Sequence, residues 1–290
     1  MPGNQRQTVG QALRQGVKRL SDAQIANAAW EARRLLAHLL GRDTHQLLLM
    51  SDDTLTDAQQ RLLDQALERR ALHYPLQYLL GEWDFYGLTF TVREGVLIPR
   101  PETELLVETV IDHLKQVGGA TLLDLCRGTG CLAITLQQYD PGLSVWAVEK
   151  EVDAFAVLEQ NIRRHQSRVI PVKGDILQFS SPAFECLPMA DIIVCNPPYI
   201  PPEEWGLISP EVAYEPVEAL LCGGDGLDFY RALASGWRLR LNRGGLLAGE
   251  IGFCQRMAVC ALLEQAGWRD VRCRQDAAGR DRVVTGRWIP

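Results

Sequence analysis

Four consecutive residues, Asn196-Pro197-Pro198-Tyr199, carry the sharpest chemical signal in the chain. They follow the apolar run Asp191-Ile192-Ile193-Val194-Cys195, which reads as a strand, so they stand at its C-terminal end. Two prolines in a row hold the backbone and remove two N–H donors. What remains is a set of acceptors, the Asn196 side-chain oxygen and the Pro197 carbonyl. Acceptors held rigidly suit an NH2 group whose two hydrogens must be gripped. Tyr199 supplies an aromatic face for a planar group. The plainer alternative is a rigid turn after a strand.

A second constellation lies upstream. The run Asp124-Leu125-Cys126-Arg127-Gly128-Thr129-Gly130 ends an apolar strand in a glycine-containing turn that leads into a helix. Gly128 and Gly130, with Thr129 between them, let backbone approach a ligand at a helix N-terminus. Glu149 closes the next apolar run, where a carboxylate can accept both hydroxyl hydrogens of a ribose. Asp175-Ile176, after a third run, is placed for an adenine edge and face; a helix N-cap by Asp175 is the alternative. Together these residues point to a cofactor built on a nucleoside.

Both constellations need strand ends to hold them. Past Gly119 apolar runs alternate with amphipathic ones: strands over 122–125, 144–148, 169–172, 191–195 and 246–251, helices over 131–138, 152–164, 229–241 and 257–266. That alternation predicts an α/β fold with a mainly parallel, doubly wound Rossmann-like sheet, whose ligands sit beyond the carboxyl ends of the strands. Residues 1–72 differ in kind. Ser21 with Gln24, and Thr56 with Gln59, have capping-box spacing. Ile25, Ala28, Ala29, Ala32, Leu35, Leu36 and Leu39 would share one helix face, which Gly41 ends. This is a small helical bundle without a chemical motif, expected to pack or to recognise. Between the two, 73–100 reads as a linker: Pro75 breaks the helix and 78–92 suggests a hairpin around Gly81 and Gly87.

Composition narrows the partners. Acidic residues outnumber basic ones 36 to 30, giving a net charge of −6, the wrong sign for nonspecific nucleic-acid binding. No apolar run approaches the length of a membrane helix, and residues 1–10 are polar. The eight cysteines include no C-x-x-C pair and the five histidines form no ligand cluster, so no metal is expected and the thiols read as reduced, packed residues. A cytoplasmic, monomeric protein without membrane or direct nucleic-acid partners is the expectation.

Taken together, the motifs resemble a known family. Asn-Pro-Pro-Tyr behind a glycine-rich first loop is similar to the signature of S-adenosylmethionine-dependent methyltransferases acting on planar nitrogen. Pro75-Leu76-Gln77-Tyr78 with Gly81, Ile98-Pro99-Arg100-Pro101-Glu102-Thr103, Asn196-Pro197-Pro198-Tyr199-Ile200, Gly223-Gly224-Asp225-Gly226-Leu227, Glu250-Ile251-Gly252 and Arg282-Val283-Val284 extend the likeness across nearly the whole chain. They resemble the HemK/PrmC family, which methylates the glutamine of the GGQ motif in class I peptide chain release factors. A sister family modifies a ribosomal protein and carries Pro-Arg-Ser-Pro where this chain has Pro-Arg-Pro-Glu-Thr. The resemblance implies a class I methyltransferase domain over 101–290. It implies S-adenosylmethionine held by Cys126, Arg127, Gly128, Thr129, Gly130, Glu149, Asp175, Ile176 and Asn196. Catalysis would fall to Asn196, Pro197 and Tyr199, with Pro198 completing the substrate site.

The cofactor loop departs from the family's Asp-Leu-Gly-Thr-Gly-Ser/Thr-Gly: Cys126 and Arg127 replace its first Gly and Thr, and Glu149 its commoner Asp. A cysteine fits there if φ is below zero, since only a positive φ strongly demands glycine. Arg127 is long enough to reach solvent or the cofactor's methionine carboxylate. The loop is therefore expected to function. Three other activities fit parts of this pattern: glutamine methylation of a ribosomal protein, adenine amino-methylation of nucleic acid, and a weakened homologue that only binds.

Overall fold

The computed structural model describes residues 7–117, 120–126 and 128–289. They divide into two compact units, one reaching Gly81 and taking in Ser209–Tyr214, the other Glu82–Ile208 with the chain from Glu215 onward.

The first unit begins with α1 (Val9–Asp22), which starts at a capping box: Thr8 Oγ1 accepts from Gln11 N and the Gln11 side chain accepts from Thr8 N. Ser21 lies in the last turn of α1 and caps nothing, correcting the expected Ser21–Gln24 box. α2 (Ala28–Leu40) instead follows Asn27, with no side-chain cap bond, and ends at Gly41 in the left-handed region as the sequence predicts. The Thr56–Gln59 box does form, at the start of α3 (Asp57–Ala71), and the short α4 (Leu76–Leu80) follows Pro75. Leu20, Leu36, Leu55, Leu63 and Leu67 are buried in this unit. So is Arg70, whose guanidinium meets Glu31 and Glu211. Glu211 belongs to the returning segment, where the Tyr214 hydroxyl donates to the Leu72 carbonyl at 3.0 Å.

The second unit opens with a hairpin, β1 (Glu82–Phe85) and β2 (Leu88–Thr91). Its two-residue turn, Tyr86-Gly87, has positive φ at both positions, the geometry that matches strand twist. The hairpin is shorter than the expected 78–92 because Tyr78 lies in α4. α5 (Glu104–Val117) follows the Pro101–Thr103 turn. Then come β3 (Thr121–Leu125), α6 (Cys131–Tyr139), β4 (Ser144–Glu149), α7 (Val152–Arg164), β5 (Ile170–Lys173), β6 (Ala190–Cys195), α8 (Asp228–Ser235), β7 (Leu241–Glu250), α9 (Arg256–Gln265), β8 (Arg269–Gln275) and β9 (Asp281–Arg287).

The sheet order is β5-β4-β3-β6-β7-β9-β8, parallel through β7, with β9 antiparallel to β7 and β8 antiparallel to β9. The sequence reading missed β8 and β9, whose mixed polar and apolar residues suit a sheet margin better than a doubly covered centre. One apolar layer packs α5, α6 and the hairpin on one face, and another packs α8 and α9 on the other. Strand order reverses at β3, so the crevice beyond β3 and β6 is where such a sheet holds ligands. Leu125 is in register with Cys195, and that pairing makes Cys126 and Asn196 leave their strands side by side.

Candidate active site

The two constellations of the sequence meet in a cleft beyond these strand ends. Cys126, Gly128, Glu149, Asp175, Ile176, Asn196 and Pro198 all line it, together with apolar Leu97, Val148 and Phe229. A smaller cleft adjoins it, lined by Ile98, Arg100, Thr103, Thr129 and Cys131. Asn196, Cys126 and Gly128 line both, so they stand at the junction.

The first loop works through its backbone. Gly128 and Gly130 have φ of +49° and +80°, and Gly130 caps α6. A Cβ at Gly130 would lie 2.4 Å from Leu158 Cδ1, so this glycine serves close packing and lines neither cleft. Glu149 is buried, but its carboxylate is fully supported. Oε1 accepts from Lys150 N and Glu151 N at 2.7 Å, and Oε2 accepts from Gly128 N at 2.8 Å. A carboxylate has about four acceptor positions, so Oε2 retains one for a ligand hydroxyl. Asp175 Oδ1 accepts from Leu177 N at 3.0 Å in a local turn, not a helix cap, and Lys150 Nζ stands 3.9 Å from its other oxygen. Ile176 is buried against the cleft.

Cys126 has φ of +66°, so the condition of a negative φ, under which a cysteine would fit without strain, is not met. A side chain in the left-handed region costs roughly 1–2 kcal/mol. The strand register that sets Cys126 beside Asn196 is kept in spite of that cost. Arg127 lies outside the described residues.

The second loop works through side chains. Asn196 Nδ2 donates to Thr103 Oγ1 at 3.2 Å, which leaves its Oδ1 to accept from elsewhere. Thr103, 2% exposed, donates in turn to Glu250 Oε2 at 2.6 Å. Tyr199 and Pro197 line neither cleft. The Tyr199 hydroxyl donates to Glu250 Oε1 at 3.4 Å, and burial together with Glu250 pushes its pKa up, so it stays a donor. The loop is braced behind by Gln255, whose Nε2 donates to the carbonyls of Tyr199 and Gly226 at 3.1 Å. Gly226 has to be glycine: its φ is +79° and a Cβ would sit 3.0 Å from the Tyr199 carbonyl.

Two bracing residues, Glu215 and Asn161, escaped the sequence reading, and a third, Glu250, entered it only as part of a motif without a role. Glu215 accepts from Ile98 N at 2.9 Å and pairs with Arg100, fixing the wall of the smaller cleft. Asn161, fully buried, donates to the carbonyls of Thr91 and Thr129 and accepts from Thr91 N, tying the hairpin to the loop after β3. Glu250 ends β7 where a sheet interior should be apolar, and that misplaced acid was the available signal.

The sequence matches two family models, one described as the PrmC N-terminal domain over residues 11–81 and one as the methyltransferase small domain over 101–211. It is 40% identical over 278 residues to a release factor glutamine methyltransferase of Cereibacter sphaeroides, a match spanning 95% of this chain and 97% of that one. A release factor glutamine methyltransferase of Clostridium botulinum is 35% identical over 278 residues, with the same coverage. Among solved structures, a methyltransferase from Pyrococcus furiosus shares the fold with a TM-score of 0.51 at 19% identity, over 71% of this chain and 91% of that one.

Proposed function

The chain belongs to the release factor glutamine methyltransferase family, and we propose that it methylates the side-chain amide of the glutamine in the GGQ motif of class I peptide chain release factors. S-adenosylmethionine would supply the methyl group, already activated on a sulfonium. The larger cleft fits that cofactor by its donor set: Glu149 keeps an acceptor position for a ribose hydroxyl, while Val148, Ile176 and Phe229 offer apolar walls. Cys126, Gly128, Asp175 and Asn196 would complete its cradle, with Thr129 and Gly130 shaping it from behind.

The observation that carries this reading is the direction of Asn196. With Nδ2 committed to Thr103, Oδ1 is an acceptor at the junction of the two clefts, in a loop with two prolines and so two fewer donors. An amide nitrogen is a poor nucleophile because its lone pair is delocalised into the carbonyl. Accepting one N–H bond at Asn196 and one at Pro197 turns that nitrogen so its lone pair faces the methyl group. The same two oxygens stabilise the positive charge that grows on nitrogen during transfer. Positioning supplies most of the catalysis, and no strong base is required beforehand, because nitrogen becomes acidic once methylated and its proton can pass to water. Pro198 and Tyr199 hold the loop that does this.

Residues 1–72 recognise the protein substrate, 73–100 link, and 101–290 hold the chemistry. The enzyme acts as a monomer in the cytoplasm; among the described residues no helix is long and apolar enough to cross a membrane. The rival target, an adenine amine in nucleic acid, would want a basic surface, and a net charge of −6 argues against it. Mass spectrometry of a release factor incubated with enzyme and cofactor tests the proposal. One added methyl on the GGQ glutamine is expected; an unmodified factor would refute it.

A further inference from the structure

We infer that Glu250 and Thr103 are positioning residues that set the hydrogen-bond polarity of Asn196, so that the ionised Glu250 carboxylate is what presents the Asn196 oxygen to the acceptor. This deepens the reading above and rests on it only for the identity of that acceptor.

The polarity follows from counting protons. A threonine hydroxyl has one hydrogen to give. Thr103 gives it to Glu250 Oε2 at 2.6 Å, so toward Asn196 its oxygen can only accept. Asn196 must then turn its NH2 to Thr103, as it does at 3.2 Å, and its oxygen the other way. If Glu250 holds a proton, it can donate to Thr103 instead. The Thr103 hydroxyl is then free to donate to Asn196, which takes that bond by flipping its carboxamide. A flipped Asn196 offers N–H toward an acceptor NH2, donor against donor.

The groups around Glu250 make this a balance near neutral pH. Burial raises its pKa from the ordinary carboxylate range to about 7, and the nearby Glu102 adds to that. The Thr103 bond, the Arg282 charge and the Tyr199 hydroxyl oppose it. Arg282 acts from a distance, its own donors going to Asp276 and the Ile251 carbonyl. Tyr230, from α8, touches the Glu250 main-chain carbonyl and not the carboxylate. Glu250 thus loses its proton as pH rises through about 7, and Asn196 acquires its acceptor polarity in the same window.

The test uses the full-length protein labelled with nitrogen-15 at its five asparagines, with Asn196→Ala identifying the Asn196 carboxamide signals. Titrated between about pH 5.5 and 8.5, those signals should step with a midpoint near 7 in the parent. Thr103→Val and Glu250→Gln should abolish the step, while Thr103→Ser, which keeps the hydroxyl, should retain it. Turnover should fall at least ~10-fold in Thr103→Val and stay within ~3-fold in Thr103→Ser, with cofactor affinity unchanged in both. A flat parent titration, or a step that survives in Thr103→Val or in a folded Glu250→Gln, would overturn the relay. The titration needs no substrate, so a parent that fails to methylate a release factor would refute the proposed function and leave this result to stand or fall by itself.

Discussion

Two loops leave neighbouring strands side by side, and they hold their chemistry by opposite means. At the end of β3 the contacts come from backbone: the Gly128 N–H donates to Glu149, and two positive-φ glycines shape the turn. At the end of β6 the contacts come from a side chain, Asn196, bonded to Thr103 and through it to Glu250, from distant parts of the sequence. A backbone cradle absorbs substitution as long as its path is kept, which is how Cys126 and Glu149 can stand where relatives of the motif carry other residues. An oriented carboxamide has less slack, since removing the hydroxyl or the carboxylate that orients it frees it to turn.

The contrast can be broken most sharply at Asn196. Asn196→Ala should lower turnover at least ~100-fold, the scale for one oriented transition-state contact, while cofactor affinity changes less than ~10-fold. Equal losses in both would mean the loops are not separable. Starting the chain at Glu82, where the second unit begins, should keep cofactor binding but cut methylation of an intact release factor at least ~10-fold. Undiminished activity would remove the recognition role from the first unit.

Gly130→Ala addresses the cradle itself. Its new Cβ would meet Leu158 Cδ1 at 2.4 Å from a φ of +80°, so stability should fall by about 1–3 kcal/mol and cofactor affinity by ~10-fold. Turnover at saturating cofactor should stay within a few-fold, as steady-state kinetics would show. The smallest change is expected at the departure from the family pattern. Cys126→Gly should raise stability by roughly 1 kcal/mol, a rise of about 2–4 °C in Tm, by removing the cost of its +66° φ. Paired with Arg127→Thr it should move cofactor affinity by less than ~10-fold in a calorimetric titration.

Much of this was legible in the sequence because it is local. Apolar runs of four to six residues mark the buried strands, and the motif residues fall at their ends, so the cleft lining of Gly128, Glu149, Asp175, Ile176 and Asn196 follows from the sequence. What stayed hidden depends on pairing at long range. Asn161 reaches Thr91 across 70 residues and Glu250 reaches Thr103 across 147, and no periodicity encodes such partners. Ser21 misled because its spacing to Gln24 imitates a cap, while the helix already running from Thr8 extends through it. The positive φ at Cys126, one residue past the pairing of Leu125 with Cys195, is something a cysteine's identity does not report.

Label transfer offers the most direct test of the central claim, that this site grips a planar amide and passes a methyl group to it. A release factor and the same factor with its GGQ glutamine changed to glutamate are incubated separately with the enzyme and methyl-labelled S-adenosylmethionine, beside a sample of adenine-rich nucleic acid. Label should enter the first and neither of the others. Label on the glutamate variant or on the nucleic acid would contradict the account.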